Sequence, residues 1–557
     1  MLALKSLEAR KTIVNNQERE PQTDDGGGAK KGAGNLNNSQ SLGFSKQKRT
    51  RRADNLEQPP GLVGWSWLFA VFICLNQAVY QSALAQPVQT PRPKLVVFLI
   101  ADEFPYDYLA RFQDKLPAGG LRSLMETGAC FTHCRFEQAT TQTAVGQSVI
   151  ATGAHPWATG IVGDNWYDRK RGKVISASFG GEGTSSGNPH QMVGTTLGDE
   201  LKLASGGRSK VFSVGIKDSA PILFNGKLGN NAFWWDARVG SFVGASPSST
   251  PPPGGGPGDV PTDINSPRAN QLVADFAKQL ITQENLGQDS EPDLISINFS
   301  ATEAVTNHHG PHSQESEDLV LKLDQTINGF LSFLDQKIGL NNCLIVFTAD
   351  HGVAPIPELL KEKGAEAGRI DPKYFRTQLN SALAARLGNY DWIEEFEPPN
   401  LYLNLNTIDR QQRRQPDIEA LTAKLAHSLP GTGEVYSAFQ FFMNQLPNGP
   451  LSEAIRKSYF WGRSGELFIA PKPGYIFTAE SEGTISGSPF AYDGQVPLIL
   501  KGSAIKAGHY TESASPADIA PTVAASLGIA APSMAEGRVL SEAFGQSGGA
   551  GKSHYTF

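Results

Sequence analysis

Cysteine is scarce in this chain, four residues in 557, and its scarcity excludes a scaffold built on disulfides. Cys130 and Cys134 are near enough in sequence to pair if the local backbone permits. No second close pair follows them at zinc-site spacing, which excludes a zinc ribbon or finger. Cys343 precedes a buried-type apolar run and Cys74 lies in an apolar stretch near the start, so buried, unpaired thiols are expected. A strong excess of charge of one sign is also missing. Lys and Arg number 49 and Asp and Glu 55, a net charge of −6, without the basic footprint that nucleic-acid binding requires. There is no internal repeat, which argues against a solenoid or propeller.

Residues 1–60 are rich in Gly, Asn, Ser, Gln and charge, lack apolar periodicity, and are expected to be disordered. A basic cluster from Lys46 to Arg52 precedes an apolar stretch from Leu62 to Tyr80, and Ser82-Ala83-Leu84-Ala85-Gln86 is an A-x-A-type cleavage site. Residues 61–85 therefore read as a signal peptide or membrane anchor, followed by a Pro-rich spacer to Pro93. Such an n-region is unusually long: either translation starts downstream of Met1 or the segment is an uncleaved tether. The expected location is periplasmic or extracellular.

From Lys94 on, four apolar runs each lead into polar residues able to hold a metal or a phosphate. Leu95–Ala101 leads into Asp102, Val211–Ile216 into Lys217, and Leu344–Thr348 toward Asp350-His351-Gly352. Leu294–Phe299 leads into a stretch holding Glu303, Asn307, His308 and His309. Continuous apolar runs of this length suit strands buried on both faces of a parallel sheet. Ligands of open α/β sheets bind at the carboxyl ends of such strands, so carboxylates and histidines gathered there suggest a metallohydrolase. The expected fold is a three-layer α/β/α sandwich over residues 94–540, with a large, mostly parallel central sheet and an inserted cap within 360–480. Leu319, Leu323, Ile327, Phe330, Leu334 and Ile338 recur at helical spacing, with Ser313 or Ser316 as cap. That assignment puts Glu303–His312 on a strand-to-helix loop. Ser246–Pro267 reads as a Pro/Gly/Ser surface loop, and Ser515–Leu527 as a closing helix with Pro in its first turns.

Thr143 precedes Ala144–Thr152, a helix pattern ended by Gly153. Unpaired N–H groups at a helix start favour negative charge, whether a phosphoryl oxygen or a threonine alkoxide. A threonine nucleophile needs activation, for example by a metal. Asp102, Asp350 and His351 are candidate ligands of such a metal, in a mixed Asp/His set that suits zinc without excluding manganese or iron. Taken alone, Thr143 is better explained as a helix cap, and an Asp-His pair just past a buried strand can be a structural turn.

Six segments together resemble the alkaline phosphatase superfamily, specifically its type I phosphodiesterase/nucleotide pyrophosphatase branch with the periplasmic threonine-nucleophile phosphatases. They are L-V-V-F-L-I-A-D ending at Asp102, T-A-V-G-Q-S-V-I-A-T-G from Thr143, G-I-V-G-D-N-W-Y-D from Gly160, G-I-K-D from Gly215, L-I-V-F-T-A-D-H-G-V-A-P from Leu344 and S-P-A-D-I-A-P-T from Ser515. The resemblance implies a phosphoric ester hydrolase with a threonine nucleophile and a phospho-threonine intermediate. It further implies one zinc held by Asp102, Thr143, Asp350 and His351. An asparagine of the family that holds a phosphoryl oxygen falls at Asp164-Asn165, where the Asp stands at the expected position and Asn165 is the candidate replacement. Lys217 matches a lysine that contacts the phosphoryl group. The arginine two residues later in the monoesterases is Ser219 here, and the lost bidentate contact tilts expectation toward diesters.

The family's second metal site is altered. Registered on Gly310-Pro311, Glu303 stands where the pattern has Asp and Asn307 where it has His; Ser486 and Gln495 stand where it has two late histidines. Glu303, Asn307 and Gln495 offer oxygen donors suited to magnesium, calcium or manganese, so zinc is expected to bind there weakly or not at all. His308, His309 and His312 are either compensating ligands or surface histidines. Three readings follow: a metal-dependent phosphoesterase with an altered second site, a single-metal hydrolase, and a weakened or inactive relative that binds a phosphorylated or sulfated ligand. The chain lacks the C-x-P-x-R or S-x-P-x-R segment of formylglycine sulfatases. The intact Asp102/Thr143/Asp350/His351 set favours the first reading.

Overall fold

The computed structural model describes residues 92–545 except 179, 181–186, 188 and 247–265. The readings of residues 1–85 and of most of the 246–267 loop lie outside the described residues. Four apolar runs form the centre of the molecule: β1 (Leu95–Ala101), β2 (Val211–Gly215), β3 (Asp293–Phe299) and β4 (Cys343–Ala349), every residue of them buried. They lie in the order β4-β1-β3-β2, all parallel, within a mixed sheet of nine strands. Beyond β2 come strand 231–236, also parallel, and the antiparallel edge strand 241–244. Beyond β4 come antiparallel 498–501, then 129–131 and 508–510. Helices cover both faces, as an α/β sandwich requires of strands that are apolar on both sides.

Register places the candidate ligands. Ala101 lies opposite both Phe299 and Ala349, so Asp102, Ser300 and Asp350 emerge side by side at one edge. Val214 lies opposite Ile297, which brings Lys217 to the same edge.

Three helices carry the remaining site residues: α1 (Thr143–Thr152), α2 (Ala301–His309) and α3 (Gln314–Lys337). All ten residues of α1 are buried, and it ends on Gly153 in the left-handed region, φ 67°. Ser313 caps α3 by accepting the Ser316 N–H, as the spacing anticipates. The expectation of a loop over Glu303–His312 is corrected: residues 301–309 are helical and stop at Gly310, φ 83°. Polar residues dominate this helix, and the few it buries (Ala301, Thr302 and Thr306) leave no apolar stripe to read.

A second, antiparallel sheet of strands 393–397, 400–403, 467–471 and 432–437 packs against helices Pro372–Leu387 and Gln415–His427 around its own core, with Trp392, Leu379, Leu401 and Ile469 inside. Cys130, Cys134 and Cys343 are buried free thiols, as their sequence context suggests. Among the described residues no helix is long and apolar enough to cross a membrane.

Candidate active site

At the carboxyl ends of β1 and β4 the chain is bent sharply to bring two carboxylates together. Glu103, two residues past the end of β1, is a buried non-glycine residue at φ 58°, a conformation retained only where the surroundings enforce it. Its N–H donates to Asp350 Oδ1 (3.2 Å), and the next N–H, of Phe104, donates to the His351 carbonyl (3.0 Å). The segment after β1 is thereby tied to the segment after β4. Helix α1 approaches β4 so closely that a Cβ on Gly146 would stand 2.0 Å from the Asp350 carbonyl oxygen. Only glycine permits this approach, and it delivers Thr143 to the cluster.

Asp102, Asp350 and His351 can each place one donor atom within 4.8 Å of the others'. His351 Nε2 lies 3.5 Å from Asp102 Oδ1 and 3.8 Å from Asp350 Oδ1. The Thr143 hydroxyl completes the group, 3.2 Å from His351 Nε2 and 3.4 Å from Asp102 Oδ1. All four residues are buried. His351 Nδ1 lies 2.8 Å from the Gly352 carbonyl; donating there, it leaves the Nε2 lone pair facing the cluster. Gln147, one turn along α1 from Thr143, donates to Asp350 Oδ2 (3.1 Å). Asp102 Oδ2 is buried with no hydrogen-bond partner, which is costly for a carboxylate oxygen unless a cation supplies the missing interaction. The donor set of two carboxylates, one imidazole and one hydroxyl fits a zinc-like ion.

Charge is concentrated here. Burial, then the neighbouring Asp350 and Glu303 charges, push the Asp102 carboxyl well above the usual range. Burial likewise raises Asp350, although His351 and the Gln147 hydrogen bond oppose it. Glu103 is raised by burial and by the charges of Glu303 and Asp493. Lys217 answers this charge. Burial alone would lower its ammonium group, but Asp102 and Glu303 outweigh burial and hold it above its ordinary value. Lys217 pairs with Glu303, and that pairing outweighs burial and lowers Glu303 in turn.

The other sequence candidates fall in different places. Glu303 and Asn307 lie four residues apart and share one face of α2. With its amide oriented to satisfy its neighbours, Asn307 donates to the Glu103 carboxylate (3.0 and 3.3 Å) and to the Thr484 carbonyl (2.9 Å). The 483–488 segment runs from the end of α2, where Thr484 N–H meets the Asn307 carbonyl (2.7 Å), toward Gln142, so Ser486 stands between them. Gln495 points elsewhere, donating to the Thr132 carbonyl (3.4 Å). His308, His309 and His312 are exposed. Asn165 is exposed at the start of strand 165–168, while the preceding Asp164 accepts the Ala144 N–H in the first turn of α1 (2.7 Å). The sequence reading passed over Gln147, Glu103 and Asp493. Gln147 carried a signal, being four residues from Thr143 on the same helix; Asp493, buried behind His351-Gly352, carried none.

A family model described as type I phosphodiesterase / nucleotide pyrophosphatase matches residues 96–495. The chain belongs to that family. Membership makes it a hydrolase of phosphoric ester bonds. Among similar proteins, alkaline phosphatase PafA of Elizabethkingia meningoseptica is 27% identical over 546 residues, covering 86% of this chain and 99% of PafA. A Myroides odoratus protein named calcium-transporting ATPase is 28% identical over 523 residues, covering 82% and 95%. The crystal structure of wild-type PafA superposes with a TM-score of 0.75 at 27% identity, covering 82% of this chain and 99% of that one.

Proposed function

We propose that this family member hydrolyses phosphoric esters through Thr143 as nucleophile, with one zinc held by Asp102, Thr143, Asp350 and His351. The observation that carries the reading is the convergence of Asp102 Oδ1 and His351 Nε2 on the Thr143 hydroxyl beside the unpartnered Asp102 Oδ2. A zinc ion bound there supplies Lewis-acid stabilisation of negative charge on oxygen. Thr143 Oγ1 gives up its proton and attacks phosphorus, the bond to the leaving alcohol breaks and that alcohol takes up a proton, and a phospho-threonine forms; water then attacks phosphorus, the bond to Thr143 breaks, the hydroxyl is restored by the proton from that water, and the phosphate, or from a diester the remaining phosphate monoester, is released. Gln147 and the Glu103 N–H hold Asp350, and the Gly352 carbonyl holds His351 in the tautomer that presents Nε2. Lys217 contributes the positive charge that faces the phosphoryl group, and Asn165 is the candidate contact for a phosphoryl oxygen.

The residues at the family's second metal position do not fit a second ion as arranged. Glu303 is committed to Lys217, Asn307 to Glu103, and Gln495 to Thr132. About one tightly held transition metal per chain is therefore expected, and two tightly bound zinc ions on elemental analysis would overturn the single-metal part of the reading. Thr143→Ala should lower turnover of an aryl phosphate diester on the order of 10³-fold or more; unchanged turnover would remove Thr143 from the nucleophile's role.

A further inference from the structure

The first turn of a helix offers free N–H groups to an anion, but at α1 the protein has already placed one of its own there. Asp164 Oδ1 accepts the Ala144 N–H at 2.7 Å, and the Asp164 N–H is in turn held by Gln142 Oε1 at 2.9 Å. Asp164 is thus tied on both sides of the nucleophile, its backbone N–H to Gln142 before Thr143 and its carboxylate to the Ala144 N–H after it. Burial raises the Asp164 carboxyl above its ordinary value, while the Ala144 N–H and the charges of His351 and Lys217 favour its ionised form, which places it within the same electrostatic neighbourhood as the metal-binding cluster.

We infer that Asp164 is a specificity-determining residue that turns this site against dianionic phosphate monoesters and toward monoanionic phosphodiesters, an inference that rests on the phosphoesterase reading above. A phosphoryl group bonded to Thr143 presents its remaining oxygens to the surroundings of that helix turn. In a monoester two negative charges are spread over those oxygens. In a diester one oxygen is esterified and uncharged, and the group carries a single charge. A carboxylate offers only acceptor oxygens when ionised, so it repels a charged phosphoryl oxygen and tolerates an esterified one or a substrate hydroxyl. The helix amide that would answer a second negative charge is consumed by Asp164. The Lys217 ammonium is already shared: it pairs with Glu303 and is held in its charged form by Asp102, Glu303 and Asp164 together. Ser219, half-buried two residues past Lys217, adds no charge. One extra unit of negative charge placed a few ångströms from the Asp164 carboxylate costs about tenfold or more in binding at the dielectric of a protein surface.

The test compares kcat/KM for p-nitrophenyl phosphate and bis-p-nitrophenyl phosphate in the native metal-loaded protein and in Asp164→Asn. The native protein should favour the diester. Asparagine at 164 keeps the acceptor for Ala144 N–H and removes the charge, so the monoester-to-diester ratio should rise about tenfold or more. An unchanged ratio in a folded Asp164→Asn protein, or a native preference for the monoester, would overturn the inference. Binding to the native protein gives a second measurement that needs neither turnover nor the variant: calorimetry should show methyl phenylphosphonate, a monoanion, binding more tightly than dianionic phenylphosphonate, and the reverse order would overturn the charge preference. Hydrolysis of neither ester by the native protein would instead remove the phosphoesterase reading, while the calorimetric order would still decide whether the site selects by charge, and its loss in Asp164→Asn whether Asp164 is the cause.

Discussion

At the scale of single residues, the site is defined by what each buried polar group lacks. Asp350 is fully satisfied by protein, Oδ1 by the Glu103 N–H and Oδ2 by Gln147. Asp102 is half satisfied, with Oδ2 unpartnered. The asymmetry assigns Asp350 to a prearranged position and leaves Asp102 as the group that most needs a cation. Gln147 acts through Asp350, so its removal should be felt as metal affinity before it is felt as stability. Gln147→Ala should weaken metal binding by about 10- to 100-fold, measured by competition with a chromophoric chelator; affinity within twofold of the native value would show that the Asp350 carboxylate is held by its other contacts alone. Glu303 and Asn307 illustrate the opposite case. As an Asp and a His in the sequence pattern they would be ligands; as Glu and Asn they find partners inside the protein, in Lys217 and Glu103.

At the scale of elements, the contact between α1 and β4 sets the distance from nucleophile to ligands. Gly146 is the point of closest approach, and any side chain there must push the helix away from Asp350. Gly146→Ala should destabilise the protein by about 1–3 kcal/mol through overpacking, read from the shift of the urea midpoint. It should also depress turnover, because Thr143 rides on the same helix. Retained stability and turnover together would mean that the helix can shift without moving the site. Helix α2 shows where reading by element fails. Its polar surface hides it from a periodicity search, and its face toward the site is recognised only once Glu303 and Asn307 are seen to share it. Helix α3, with apolar residues recurring at helical spacing and a serine cap, is legible in full.

At the scale of the whole molecule, a chain with a net charge of only −6 gathers Asp102, Glu103, Asp164, Glu303, Asp350 and Asp493 at one edge of one sheet, against Lys217 and His351. Another buried carboxyl lies away from that edge and gives a clean probe of global stability. Asp324, in α3, is buried, accepts the Leu121 N–H at 2.6 Å and is pushed up to about 6 by burial. In the unfolded chain the same carboxyl titrates near ~3.9. Between about pH 4 and pH 6 the folded protein therefore holds a proton that the unfolded chain has released, and this contribution to stability is lost as pH rises through that window. Asp324→Asn, which keeps an acceptor for Leu121, should remove roughly 2 kcal/mol of pH-dependent difference across the window. Urea midpoints at pH 4 and pH 7 for native and variant protein check it; parallel shifts in both would place the titration elsewhere.

The buried strands, the α3 helix and the residues of the Asp102/Thr143/Asp350/His351 set were legible in the sequence, because burial on both faces writes continuous apolar runs and the polar residues that follow them stand out. Strand order and register were not legible. They depend on which runs pair, and it is the alignment of Ala101 with Ala349 and Phe299 that makes neighbours of Asp102 and Asp350. The partners of each polar group were also decided only by the tertiary structure. Whether Glu303 is a ligand or the counter-charge of Lys217, and whether Asn307 faces a metal or the Glu103 carboxylate, depends on contacts between residues far apart in the chain, and local sequence carries no record of those distances.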